Sequence, residues 1–170
     1  MEIVTIPHPA LRKVSKNVDP KSVNSTKFQK LLLDMSSAMA TRDDGVGLSA
    51  PQIGINERVF VVSGKKKKKE GKPAPMDEYF INPVITKKSR KLIIAEEGCL
   101  SIPNVYGLVK RHASVSIDYT DDKGNPVNKK ATGLLARIFQ HEIDHLDGIL
   151  FTDKATELRN AKDDNTNTEL

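Results

Sequence analysis

The sequence predicts an α+β fold: antiparallel β-sheets packed around a C-terminal helix that carries His141-Glu142-Ile143-Asp144-His145, with an additional N-terminal helix. Three observations predict it. Two segments place apolar residues at helical spacing, one near each end of the chain. Between them lie short β-branched and aromatic runs. These runs alternate with turns rather than with helices, which favours antiparallel pairing over a parallel α/β sheet.

Taken in order, Ile3 to Arg12 is an extended arm broken by Pro7 and Pro9. Asn24, Ser25 and Thr26 are capping candidates for a helix that carries Phe28, Leu31, Leu32, Met35 and Met39 and runs to about Ala40. Asp43-Asp44-Gly45 ends it. Arg58 to Val62 reads as a strand, as does Tyr79-Phe80-Ile81, which is expected to stop at Asn82-Pro83. Lys91 to Ala95 and Ala113 to Tyr119 are further strands, and Asp121 to Asn125 is a turn. A second helix starts near Thr132 or Gly133, and Leu134, Ile138, His141 and His145 share its inward face. The tail from about residue 153 to 170 is polar and is expected to fray.

Composition bounds the class. The 170 residues, 38% of them hydrophobic, suit one domain spanning 1–170 with a real core. No stretch approaches the roughly 20 apolar residues of a membrane span, and Glu2, Pro7, His8 and Pro9 interrupt any signal-peptide core. Cys99 is the one cysteine, so no internal disulfide forms, and a reducing cytoplasm is the expected compartment. A monomer without membrane or DNA partners is expected. The net charge of +5 sits in Lys65 to Lys69, since without these five lysines the chain carries 22 basic and 22 acidic residues. This lysine-rich loop, about residues 63–75, reads first as a solvated face, and no aromatic side chain interleaves it to stack on bases.

The chemistry concentrates in three segments. His141 and His145 stand one helical turn apart, so both imidazoles can grip one metal ion, and Glu142 can reach a water on that metal. The longer zincin pattern fails because Phe151 occupies the third histidine position. A glutamate from Glu157 or Glu169 would complete a zinc peptidase only from a short polar tail. Cys99, within Glu96-Glu97-Gly98-Cys99-Leu100-Ser101, is the better third ligand, leaving one position open for water. Glu97 is expected to orient a ligating histidine. The third segment, Gly45-Val46-Gly47-Leu48-Ser49-Ala50-Pro51-Gln52, lacks the spacing of a nucleotide-binding loop. Its glycines permit close backbone approach, and Gln52 offers a neutral amide to an oxyanion.

Together and in this order, the segments Gly45–Gln52, Glu97–Ser101 and Gln140–His145 resemble the peptide deformylase family, as does Ile6-Pro7-His8-Pro9-Ala10-Leu11-Arg12. The resemblance runs from about residue 3 to residue 151. It implies a hydrolase that removes the formyl group from formyl-methionine at the start of nascent polypeptides. It implies that Cys99, His141 and His145 bind one divalent metal, Fe2+ by preference, with Zn2+, Ni2+ or Co2+ also accepted. Glu142 is then the general base, while Gln52 and the Leu100 backbone N–H hold the oxyanion. Gly45, Val46, Gly47 and Gly98 would border the substrate backbone, and Val46, Leu134 and Ile138 are candidates for the methionine pocket. Two departures stand out. Tyr106 replaces an arginine found in some members, and the acidic tail does not suit the basic ribosome-docking helix of some bacterial members. A transient ribosome contact is therefore expected from Lys65 to Lys69 instead. Two other classes compete: a zinc endopeptidase, and a metal-stabilised RNA- or ribosome-binding module built on the lysine run.

Overall fold

In the computed structural model, residues 1–64 and 76–161 are described. The Lys65 to Lys69 run and the last residues of the tail lie outside them. Among the described residues are helix α1 (Thr26–Ala40) and strands β1 (Gly47–Ser49), β2 (Val59–Val62), β3 (Glu78–Lys88), β4 (Leu92–Cys99), β5 (Ile102–His112), β6 (Ser114–Thr120) and β7 (Pro126–Thr132). Helix α2 (Gly133–Leu146) and strand β8 (Thr156–Asn160) follow. The strands form two sheets, β1-β2-β3-β6-β7 and β4-β5-β8, with every pairing antiparallel.

Helix α1 starts where the Ser25 hydroxyl accepts the Phe28 N–H at 3.2 Å. Its buried stripe of Phe28, Leu32, Met35 and Met39 packs with Leu48, Val59, Val61 and Ile81 of the larger sheet. The other face of that sheet carries Phe60 and Phe80, stacked at 4.6 Å between ring centroids. Phe139 of α2 meets Phe80 edge-on at 4.8 Å. Ile143 and Leu146 join the same cluster, so α2 is anchored on one side while its histidines turn toward the smaller sheet.

Several elements differ from the sequence reading. Strand β3 does not stop at Asn82-Pro83 but runs through it, with a register shift between Ile81 and Val84. Asn82 takes a left-handed φ of 51° there, and its side-chain amide pairs with both backbone groups of Val18, at 2.8 and 2.9 Å. Strands β5 and β7 went unread because Pro103, Gly107 and the Asn128-Lys129-Lys130 stretch break their alternation. Part of the polar tail is not frayed: Thr156–Asn160 forms β8 against β5, and Arg159 forms an ion pair with Glu96 at 2.9 Å. Leu134 leaves the inward stripe, being 60% exposed in the first turn of α2, whereas Ile138 is 8% exposed.

Phe139→Ala is expected to cost about 3–5 kcal/mol of stability. Leu134→Ala should stay within about 0.5 kcal/mol of the parent chain. Urea unfolding of the two variants side by side checks both values.

Candidate metal centre

Cys99 lies at the end of β4, where a register shift against β5 between Gly98 and Cys99 turns the chain toward α2. Its Sγ is 3.2 Å from His145 Nε2. The ligand atoms of Cys99, His141 and His145 all lie within 4.8 Å of one another. Gln52 approaches from the 3-10 turn after β1. Its Oε1 accepts the Ser49 N–H at 2.9 Å and the Ser49 hydroxyl at 3.1 Å, so its NH2 points at Cys99 Sγ (3.5 Å) and Ser101 Oγ (3.3 Å).

A buried ionic network holds this arrangement. Glu97 Oε2 faces His141 Nδ1 at 3.0 Å, which leaves the other ring nitrogen of His141 for the centre. Arg111 donates to both Glu97 oxygens at 2.9 Å and also to Asp144, which sits between the two histidines on α2. Arg137 donates to Glu97 at 2.6 Å and to the Val109 carbonyl at 3.0 Å. Lys154 neutralises Asp144 at 2.7 Å. None of Arg111, Arg137, Asp144 and Lys154 was singled out from the sequence. Asp144 lay inside the motif that was read, but nothing local marks Arg111 as its partner.

The electrostatics follow from burial and from these partners. Burial opposes ionisation of Glu97, yet hydrogen bonds from Arg111 and His141 outweigh it and hold its carboxyl far below the usual range. Burial also opposes a charged His141, but hydrogen bonds to Cys99 and Glu97 push its pKa up to about 10. Burial, then the His141 charge, drives His145 well below its ordinary value. Burial raises Glu142 to about 7, and its Oε2 has no hydrogen-bond partner among the described residues. The donor set therefore suits a divalent cation. One sulfur and two imidazoles converge, nearby negative charge favours a cation there, and an unpaired carboxylate oxygen of Glu142 lies beside them.

The centre opens into a cleft of about 320 Å³ whose lining includes Val46, Gly47, Gly98, Leu100, Leu134 and Ile138. A Cβ on Gly47 would stand 2.7 Å from Glu142 Oε1, so glycine there lets β1 lie against the Glu142 carboxylate. Gly45 is not part of the lining. Its missing side chain is required instead by the Met39 carbonyl, 2.8 Å from where a Cβ would stand. Tyr106 lines the cleft with its ring under Arg159, 5.1 Å from the ring centroid. Glu157, the glutamate considered for a peptidase site, lies exposed on β8, outside the ligand cluster.

The family model described as polypeptide deformylase matches residues 1–161. The chain belongs to the polypeptide deformylase family. A peptide deformylase of Maricaulis maris is 39% identical over 161 residues, covering 95% of this chain and 88% of that protein. The chloroplastic peptide deformylase 1B of Solanum lycopersicum is 40% identical over 157 residues, which are 92% of this chain and 53% of the relative. The chain thus spans about half the length of that relative. Among solved structures, a class I type b peptide deformylase from Acinetobacter baumannii with Met-Ala-Ser bound superposes with a TM-score of 0.80 at 33% identity, covering 89% of this chain and 96% of that one. Like that family, the described residues form an α+β fold with antiparallel sheets and two α-helices. Its Cys99, His141 and His145 cluster is compatible with the metal site of a metalloenzyme. No described helix is long and apolar enough to cross a membrane.

Glu97→Gln should lower metal affinity about 10–100-fold by loosening His141, as measured by competition with a chelator. The raised pKa of Glu142 gives a second expectation. Its carboxyl ionises near 4.5 when unfolded and near 7 when folded, so the folded metal-free chain binds more protons between these values. The associated stability is full below the unfolded value and declines as pH rises through about 7. Metal-free Glu142→Gln is therefore expected to be more stable than the parent at pH 8 and no more stable at pH 5, by urea unfolding.

Proposed function

We propose that the chain hydrolyses the formyl group from formyl-methionine at the N-terminus of nascent polypeptides. The observation that carries this reading is the convergence of Cys99, His141 and His145 beside buried Glu142 and the oriented Gln52 amide. Cys99, His141 and His145 would hold one divalent cation, with Fe2+ proposed as the metal in use and Zn2+, Ni2+ or Co2+ as substitutes. When bound, the cation supplies Lewis acidity for activating water and for drawing charge from the scissile carbonyl.

The remaining steps fall to side chains and backbone. Glu142, buried beside the cluster and lining the cleft, is placed to take a proton from the attacking water and give it to the departing amine nitrogen. The Gln52 amide is fixed by Ser49, so its N–H donors need no reorganisation when charge develops on the formyl oxygen. The Leu100 N–H is the second donor in this reading. Gly47 and Gly98 border the peptide backbone. Val46 and Ile138 form the wall for the methionine side chain, with Leu134 at the mouth rather than deep in the pocket. The Met-Ala-Ser bound to the Acinetobacter relative is the kind of N-terminus this cleft would release. One domain over 1–170, a monomeric state, a cytoplasmic setting and transient ribosome contact complete the proposal.

The test is formate release from a formyl-Met peptide by the metal-loaded chain. Glu142→Ala is expected to lower kcat by about 10²–10⁴ with metal still bound, and Gln52→Ala by about 10²–10³. Internal peptide fragments, or no product at all, would overturn the reading.

A further inference from the structure

The described surface carries a second concentration of charge that lines no part of the cleft. Strand β3 ends in Lys87-Lys88, and the turn into β4 continues with Ser89-Arg90-Lys91. Strand β6 lies between β3 and β7, and the register sets Lys87 opposite Ser116 and Ser116 opposite Lys130. Directly opposed residues share a sheet face, and neighbouring strands lie roughly 4.8 Å apart, so Lys87 and Lys130 stand roughly 10 Å apart on one face. The core face is taken by Val115, Ile117 and Ala131, while Lys88, opposite Val115 at the end of β3, is exposed and lines the same groove as Lys87 and Lys130.

Lys87, Lys88, Arg90, Lys91 and Lys130 are all exposed. Among the described residues none of them enters an ion pair, whereas neighbouring Lys129 pairs with Glu78. Residues 79–95, 98–117 and 126–141 hold no acidic side chain, and Asp118, two residues beyond Ser116 on the same face of β6, accepts a hydrogen bond from the Asn128 side chain. Outside Lys65 to Lys69 the chain is balanced at 22 basic and 22 acidic residues, so this cluster polarises an otherwise neutral molecule.

The backbone of this platform is pinned. The Ser89 N–H donates to the Ser114 carbonyl at 2.9 Å, and its hydroxyl accepts the Ser114 N–H at 3.1 Å and donates to the Lys91 carbonyl at 2.8 Å. The His112 ring is 2.7 Å from the Ser89 carbonyl, and the Ala113 N–H reaches the Lys91 carbonyl at 2.9 Å. Fixing the backbone that carries the cations leaves only their side chains to order on contact.

We propose that the groove bearing Lys87, Lys88, Ser116 and Lys130 binds the phosphate backbone of RNA. Cations alternating with the hydroxyls of Ser114 and Ser116 suit phosphate and ribose oxygens. No aromatic residue lines the groove to stack on bases, so recognition is of backbone and not of sequence. An anionic bilayer would call for an apolar wedge in the groove itself, and exposed Leu92, Ile93 and Ile94, which follow Lys91 on β4, do not line it. The surface is separate from the reaction proposed above and does not depend on it.

Fluorescence anisotropy with a labelled RNA hairpin, titrated across KCl concentrations, tests this. Binding should weaken with salt by a log–log slope of about −0.9 per phosphate neutralised. The triple variant Lys87→Gln, Lys88→Gln, Lys130→Gln should bind more than about tenfold more weakly at low salt, with a slope shallower by roughly 2–3. The corresponding triple arginine variant should retain binding, which separates lost charge from lost fold. Unchanged affinity in the glutamine variant would overturn the proposal. So would loss of all binding on replacing Lys65 to Lys69 alone, or binding of phosphatidylserine vesicles without binding of RNA.

Discussion

The buried carboxylate of Glu97 is the contact on which the rest of the site depends. It belongs to β4, takes hydrogen bonds from Arg111 of β5 and Arg137 of α2, and meets the His141 ring of α2. Three elements are thus fixed to one another through two oxygen atoms. Isolated in an apolar interior, such a carboxylate would be protonated. With two guanidinium partners it stays ionised, and an ionised Glu97 is what commits His141 to a single ring orientation. Arg111 extends the constraint to Asp144, one residue from His145, so both histidines are held from outside the centre. Buried ion pairs of this kind contribute little net stability against apolar replacements, but breaking one side costs about 3–5 kcal/mol. The network is better understood as a device for geometry than for stability.

Around that frame the cleft separates charged from neutral functions. Glu142 is buried with few partners, so its carboxyl titrates near neutrality, while Glu97, also buried, is rich in donors and does not. Two glutamates near one another thereby acquire different roles from their surroundings alone. Gln52 adds hydrogen-bond donors without adding charge, and Gly47 allows β1 close enough to Glu142 to shield it from water. Phe60, Phe80 and Phe139 secure the opposite side of α2, so the helix is held by an aromatic cluster on one side and by ions on the other.

Much of this was legible in the sequence where the signal is local. The i, i+4 histidines with Glu142 between them declare their shared face, and the Phe28 to Met39 spacing declares α1. Cys99 was reachable because Phe151 closes off the alternative third ligand. Arg111 and Arg137 were not legible, since their partners lie far along the chain and a lone arginine on a strand or helix carries no local mark of burial. Strand β5 hid behind Pro103 and Gly107, and β8 behind a polar composition tolerated only because its pairing with β5 leaves its side chains exposed. Strand β3 passes Asn82-Pro83 because the Asn82 side chain replaces the missing ladder contacts with Val18, a long-range rescue that local turn chemistry does not announce. Gly45 and Gly47 look equivalent in sequence, yet only Gly47 lines the cleft and lies against the Glu142 carboxylate.

The central claim is that a thiolate from β4 and two imidazoles from α2 share one metal ion. X-ray absorption at the zinc edge of the zinc-loaded chain tests it most directly. The account predicts one sulfur neighbour at about 2.3 Å and two imidazole nitrogens at about 2.0–2.1 Å. A zinc shell without sulfur, or with a single imidazole, would contradict it.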